Sequence, residues 1–184
     1  KNNEKVIATG KVVIVDKNQN IEIQADKIFY YKKENQISAI ENVSFYDENK
    51  NIKIIAEEIS YFKEKQKLFA RSNVELNDLN KMIKIKTDEI TYLKKESTFF
   101  TQGKTFADIF SKYEFISKNV FFEQDQMRLY SSEKSIIKDL DNTLYEVGSF
   151  DYKIQDEFLK AREIIIVENS NLPTSERNKY YFEN

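Results

Sequence analysis

The strongest constraint in this sequence is an internal repeat with a constant period. Residues 25–30 (ADKIFY) recur as residues 56–61 (AEEISY) and again as residues 87–92 (TDEITY), so each copy starts 31 residues after the previous one. Other apolar positions keep the same period, and Ile21, for example, aligns with isoleucines one and two repeats further on. A chain of this kind buries the apolar face of each unit against the neighbouring units.

Within each repeat, apolar and polar residues alternate. In the first copy, Ile21, Ile23 and Ala25 alternate with polar residues at positions 22, 24 and 26. Period two is typical of a β-strand with one buried face. The alternation slips by one position between Ala25 and Ile28, which predicts a β-bulge where the strand bends. Polar stretches such as residues 16–20 (DKNQN) predict the turns. We therefore interpret each repeat as two long, bent strands joined by hairpin loops.

These features predict an all-β fold, an antiparallel open β-jelly roll (β-taco) built from 31-residue repeats of strand pairs. A β-propeller needs about four strands in a longer repeat and fits poorly, whereas a parallel β-helix stays an alternative. If all apolar faces point inward, they line one interior, which is the candidate ligand-binding groove. Its predicted lining residues are Ile21, Ile23, Ile28, Tyr30, Ile37, Val43, Ile52, Ile54, Ile59, Tyr61, Leu68, Val74, Ile83, Ile85, Ile90 and Tyr92.

The sequence leaves open whether this interior is a groove with space for a guest or an ordinary packed core. Small residues such as Ala25, Ala39, Ala56 and Ala70 lie among the large ones. They either leave room for a ligand or mark the places where the two walls come closest.

The composition narrows the possible functions. The 184 residues include no Cys and no His, and 29 basic and 31 acidic residues give a formal net charge of −2. The chain therefore has no disulfide, no thiolate metal site and no histidine base, and we expect neither a metal nor a cofactor. The near-neutral charge without basic blocks argues against a nucleic-acid partner. No apolar run reaches the roughly 18 residues of a membrane-spanning helix.

An enzyme is the first competing interpretation, and its best candidates are the acidic pairs at residues 57–58 and 88–89. Adjacent residues of a strand point to opposite faces, so neither pair forms one site. No nucleophile elbow, phosphate-binding loop or metal-ligand spacing occurs. We predict that the chain is not an enzyme and interpret the pairs as repeated surface acids.

The repeat resembles a known family. Residues 25–30 (ADKIFY), followed after a polar hairpin by residues 37–43 (ISAIENV), are similar to the repeat of the OstA-like periplasmic domains of lipopolysaccharide transport proteins. The resemblance is best over residues 6–107 and degenerates over 108–169. It implies a domain at 1–169 whose apolar interior shelters the acyl chains of lipid A and passes lipopolysaccharide to the outer membrane. Each buried methylene contributes roughly 0.8 kcal/mol, so burial alone would supply affinity.

Within this family, the long degenerate second half is most similar to the amino-terminal periplasmic domain of the outer-membrane assembly protein LptD. That reading implies that residues 170–184 are a linker toward a missing C-terminal β-barrel. The barrel and its lipoprotein partner would then be partners of the domain, which would lie in the periplasm next to the outer membrane. A soluble bridge protein resembling LptA is one alternative, and a structural β-scaffold without lipid cargo is another.

The first strand predicts a contact with other proteins. An unpaired edge strand presents free backbone groups that invite pairing with a partner strand. We expect this edge to pair with other OstA-like transport proteins through a flat β-branched run formed by Val12, Val13, Ile14 and Val15.

Basic residues near strand ends are candidates for contacts with the lipid headgroup. If acyl chains occupy the interior, the sugars and phosphates remain in water at the groove mouth. Lys27, Lys53 and Arg71 are the candidates, although each is better explained as an ordinary solvated surface residue.

Overall fold

A computed structural model describes the backbone of residues 4–169 and the side chains of residues 4–164. The predicted linker at 170–184 lies outside the described residues. The described part of the chain contains thirteen strands: β1 (Lys5–Asp16), β2 (Ile21–Tyr31), β3 (Gln36–Asp47), β4 (Ile52–Phe62), β5 (Lys67–Asp78), β6 (Ile83–Leu93), β7 (Thr98–Ile109), β8 (Tyr113–Lys118), β9 (Phe121–Glu123), β10 (Arg128–Ser131), β11 (Ser135–Lys138), β12 (Thr143–Lys153) and β13 (Phe158–Asn169).

The strands form a single sheet in which each long strand pairs with its neighbours in the chain. Strands β1 to β8 are ordered sequentially, and every pairing in the described residues is antiparallel. The all-β, antiparallel jelly-roll prediction is confirmed. The parallel β-helix alternative is wrong, because hairpins of about four turn residues reverse the chain after each strand and leave no length for a crossover.

The turns use the Asp and Asn residues that the sequence singled out. Asp16 Oδ1 accepts hydrogen bonds from the backbone N–H groups of Asn18 at 3.0 Å and Gln19 at 3.2 Å. The turn then ends at Asn20, whose φ of 53° lies in the left-handed region that Asn tolerates best after Gly. Asp47 and Asp78 accept hydrogen bonds in the same way at the start of later turns.

The predicted bends lie near the middle of the long strands, and the extra residue of each bulge belongs to the odd-numbered strand of the pair. The β2–β3 register shifts after Gln24, and the next ladder shifts after Ile40. Left-handed backbone recurs at the 31-residue period in the odd-numbered strands, with φ of 85°, 67°, 64° and 86° at Gly10, Glu41, Ser72 and Gly103. The bends fold the sheet over, so that the two halves of each strand form opposite walls around an enclosed interior.

The second half of the chain continues the same ladder with interrupted strands. The first residues of β7 (98–100) pair with β9, whereas residues 104–109 of β7 pair with β8. The interruption lies at Asn119, whose φ is 50°. Strands β10 and β11 likewise share β12 as a partner. The domain bounds 1–169, with the division at residue 107, stay predictions.

Candidate ligand-binding interior

The structure places all sixteen predicted groove residues at one shared interior. Fifteen of them have exposed fractions of 3% or less. The exception, Tyr30, is partly buried and packs against the same cluster. The bulges explain how this is possible, because each bulge restores the inward orientation of the apolar residues after the strand bends. Contact of these side chains with a lipid stays a prediction.

The predicted list missed one position of the repeat. Phe45 and Leu76 are fully buried in the same interior, and so is Ala107 at the equivalent place in the third copy. These three residues are spaced by 31, and the first two lie two residues after the predicted lining residues Val43 and Val74. The period alone therefore contained the signal needed to find them.

The small residues Ala25 and Ala56 lie at the bends. Ala25 and Ala56 are 4% exposed, and each flanks a bulge. Ala56 is the direct cross-strand partner of Val43. Both interpretations of these alanines stay predictions.

The interior changes character along its length. Its middle is closed by aromatic rings, with Tyr92 stacked on Phe99 at a centroid distance of 4.2 Å and Phe45 lying 5.6 Å from Tyr61. Burial raises the pKa of Tyr92, and the negative charge of nearby Asp47 raises it further. This hydroxyl stays protonated and donates a hydrogen bond of 2.9 Å to Asp47 Oδ2.

At the bend of the third repeat, hydroxyl groups replace methyl groups. Thr87 stands where the earlier copies have Ala25 and Ala56. Its Oγ1 lies 3.2 Å from Thr105 Oγ1, which in turn lies 2.7 Å from Thr101 Oγ1. Because these buried hydroxyls satisfy one another, they form a hydrogen-bonded polar cluster within the otherwise apolar interior.

At the β1 end, the interior opens into an apolar cavity of about 380 Å³. This volume lies within the range of small-ligand sites. A single charged group, the Lys63 ammonium, stands at its wall and is paired with Asp16 Oδ2 at 2.9 Å. The cavity is lined by Val6, Ala8, Val12, Ile14, Ile28, Tyr30, Ile37 and Lys63.

The edge strand is partly as predicted. Strand β1 pairs only with β2 among the described strands, so its other side is unpaired. Val12 and Ile14 turn inward and pack against the core. Val13 and Val15 turn outward and are 53% and 57% exposed. Pairing of this edge with another protein stays a prediction.

The candidate headgroup residues lie away from the interior. Lys53 lies between two buried isoleucines and therefore points outward. Arg71 Nε donates a hydrogen bond of 2.8 Å to Glu58 on the outer face of a bend. Lys27 lies over the ring of Phe29 at 5.1 Å. None of the three borders the apolar cavity, whereas Lys63, which the sequence reading did not select, does.

The acidic pairs lie outside the interior as well. Glu57 and Asp88 are exposed, and Glu58 is occupied by Arg71. Within the described residues, no group of three or more Asp and Glu side chains is arranged to hold a metal ion. The described part of the chain also contains no helix with the length and hydropathy needed to cross a membrane.

The folded-over sheet and its shared apolar interior define a β-jelly roll of the kind found in lipopolysaccharide transport. The chain belongs to the LptC-related lipopolysaccharide-assembly family, whose family model matches residues 8–107. A search of curated proteins gave no significant match.

Among solved structures, the chain is similar to LptH from Pseudomonas aeruginosa. That protein is described as the LptA-homologous periplasmic component of the conserved lipopolysaccharide transport device. The two share 10% sequence identity and a TM-score of 0.56, and the match covers 74% of this chain and 99% of LptH. At this identity the similarity shows a shared fold.

Proposed function

We propose that this domain is a non-catalytic carrier that shelters lipopolysaccharide acyl chains in its apolar interior and passes them across the periplasm. The observation that carries the proposal is the apolar cavity at the β1 end, which is continuous with the buried cluster and lies beside an unpaired edge. Apolar lining suits acyl chains, since affinity then comes from burial and needs no positive surface.

The family match supports a bridge component of the transport system, comparable to LptA or LptC. It gives less support to an amino-terminal domain of LptD, and it speaks for neither an attached outer-membrane barrel nor a lipoprotein partner. The bridge role therefore becomes our first choice, and the LptD-like role that the degenerate repeats suggested becomes the second. In either role the domain would act in the periplasm.

Photo-crosslinking to purified lipopolysaccharide tests the carrier role. A photoreactive residue at Ile14 would face the cavity, and the same residue at Val15 would face solvent on the same strand. We expect labelling at Ile14 and little at Val15. Equal labelling at both positions, or none at Ile14, would exclude the cavity as a lipid site.

A structural β-scaffold without lipid cargo is the competing function, and one observation favours it. Beyond the cavity, the interior is filled, and residues such as Ile54 and Ile85 are fully buried with no exposed surface. A lipid reaches them only if the walls separate. Crosslinking at Ile54 distinguishes the two candidates, because a scaffold would give only protein-derived products there.

The unpaired side of β1 supports pairing with another jelly roll of the transport system. A continuous ladder would join the two interiors end to end. Substituting Val13→Lys and Val15→Lys places charges on the edge and should weaken association with a jelly-roll component of the same system. Ile55→Lys is the control, since Ile55 is similarly exposed but lies in the middle of the sheet. Sedimentation velocity measures the association of each variant with the partner. Equal association of the two variants would rule out the β1 edge as the pairing site.

A further inference from the structure

The two walls meet along a line of turns that we call the seam. On one side lie the turns after β1, β3 and β5 (residues 17–20, 48–51 and 79–82). On the other lie the turns after β4, β6 and β9 (residues 63–66, 94–97 and 124–127). Each turn of the first set contacts a turn of the second set through side chains that lie more than 40 residues apart in the chain.

The aspartates at the seam, Asp16, Asp47 and Asp78, follow the 31-residue period. Lys63 pairs with Asp16 at 2.9 Å, and Lys94 pairs with Asp47 one repeat later. In the third copy, Gln124 Nε2 takes the place of the lysine and donates a hydrogen bond of 2.8 Å to Asp78. The seam is therefore closed by a row of equivalent side-chain contacts.

A further, exposed ion pair crosses the seam and joins the turn at 48–51 to the turn at 124–127. Lys50 Nζ lies 2.8 Å from Asp125 Oδ1. Gln19 also crosses the seam, donating a hydrogen bond of 3.1 Å to the backbone carbonyl of Lys63 and accepting one from the Tyr61 hydroxyl.

Backbone pairing does not reinforce this closure. Between the described turns of the two sides, no backbone N–H group bonds to a backbone carbonyl across the seam. The walls themselves are continuous antiparallel ladders. Separating the turns therefore breaks side-chain contacts and the apolar packing behind them but no backbone ladder, whereas entry through either wall breaks a ladder of backbone hydrogen bonds.

The seam borders the apolar cavity. Lys63 belongs to the first seam contact and also lines the cavity wall. The Asp16–Lys63 pair is partly exposed, and the next pair, Asp47–Lys94, is almost completely buried. Since water screens the first pair more than the second, the seam is weakest at the cavity end.

We propose that this row of seam contacts is a lateral gate, which opens from the β1 end to admit an acyl chain sideways and closes to shield it from water. This inference rests on the proposed carrier function and adds to it the route of entry and the residues that control it.

Because the chain contains no cysteine, introduced thiols can be linked without interference. The variant Gln19→Cys with Lys63→Cys places one thiol on each side of the seam. A short bifunctional reagent that joins the two thiols holds the seam closed. Without the reagent, the same variant lacks the first seam contact, between Asp16 and Lys63. The matched control is Ser38→Cys with Ser60→Cys, whose parent hydroxyls lie 3.1 Å apart on neighbouring strands of one wall.

The measurement is the association rate of dansyl-labelled undecanoic acid by stopped-flow fluorescence. We expect linking the seam to slow association roughly tenfold or more, as for a closed lid, while linking the control pair leaves the rate unchanged. An equal rate in the linked and unlinked seam variants would overturn the gate and leave the carrier function intact, with entry through the β1 end.

A measurement without ligand tests the opening itself. Spin labels at the exposed turn residues Lys17 and Glu64 report the distance across the seam. In the background Asp16→Asn with Lys63→Gln, we expect a broader and longer distance distribution than in the parent. An unchanged distribution would overturn the gate. If the distance across the seam increases but no form of the protein binds the probe, the seam does open and the carrier function is overturned.

Discussion

The Lys94 ammonium group is paired with the Asp47 carboxylate, although 47 residues separate them in the chain. Neither side chain is more than 9% exposed, and Asp47 also accepts a hydrogen bond from Tyr92. The pair joins a turn of one wall to a turn of the other. A single buried contact of this kind therefore ties the edges of two walls that the sheet itself joins only at the bends.

Asp47→Asn should destabilise the domain strongly. The substitution removes the counter-charge of a buried ammonium group, and breaking a buried pair in this way costs about 3–5 kcal/mol. Urea unfolding, followed by circular dichroism, measures the change. The control is Glu157→Gln, which breaks the exposed Lys112–Glu157 pair and should leave the free energy of unfolding almost unchanged. Similar losses in both variants would contradict the burial argument.

Adjacent isoleucines on β4 should respond very differently to truncation. Ile54 is fully buried, whereas its neighbour Ile55 points outward and is 39% exposed. We expect Ile54→Ala to lower the free energy of unfolding by about 2–5 kcal/mol. Ile55→Ala should change it by only about 0.5 kcal/mol, as is usual for surface positions. Chemical denaturation compares the two, and a larger loss at Ile55 would mean that the strand faces are reversed.

Two glycines at equivalent bends separate backbone strain from steric crowding. Gly10 and Gly103 have φ of +85° and +86°. A Cβ at Gly10 would meet nothing within 4 Å, but at Gly103 it would lie 2.8 Å from Asp88 Oδ2. Gly10→Ala should cost about 1–2 kcal/mol for the left-handed backbone alone, and Gly103→Ala should cost more. Equal melting temperatures for the two variants would show that the Asp88 side chain moves aside freely.

Acid should weaken the exposed seam contacts. Burial alone would raise the pKa of Asp16, but hydrogen bonding and the charge of Lys63 outweigh it and lower the pKa. The hydrogen bond from Lys50 lowers the pKa of Asp125, assisted by the charge of Lys81. Because both folded-state pKa values are depressed, the stabilisation is complete above the ordinary Asp range, near pH 4, and is lost as the pH falls through the depressed values.

The matched measurement for this pH effect uses Asp16→Asn with Asp125→Asn. The difference in unfolding free energy between parent and variant should be constant at neutral pH and shrink towards zero in acid. A difference that does not depend on pH would mean that these two carboxylates contribute through packing and not through charge.

Much of the fold could be predicted because it is a local, repeated property of the chain. The 31-residue period, the alternation on either side of Ala25 and the slip before Ile28 depend only on neighbouring residues. These three features predicted the strands, the positions of the bends and the side chains that face the interior. The lining residue Phe45 was missed although it follows the same period, so that omission was not a limit of the sequence.

Other features depend on which distant residues meet. No local sequence signal shows that Asp16 will pair with Lys63, or Asp78 with Gln124. These contacts form only because the bends bring opposite turns together. The sequence also pointed to Lys27, Lys53 and Arg71 as headgroup contacts, whereas the cavity wall holds Lys63. Strand alternation gives the face of a residue but not its position relative to an opening.

The amino-acid sequence by itself determined that this protein is a repeated antiparallel β-structure with one apolar face, because side-chain periodicity follows directly from strand geometry. Only the tertiary structure decided how far that apolar interior is filled, where it opens and which side chains close its seam. The reason is that these depend on the angle through which the bulges fold the sheet, and this angle is set by packing across the whole domain.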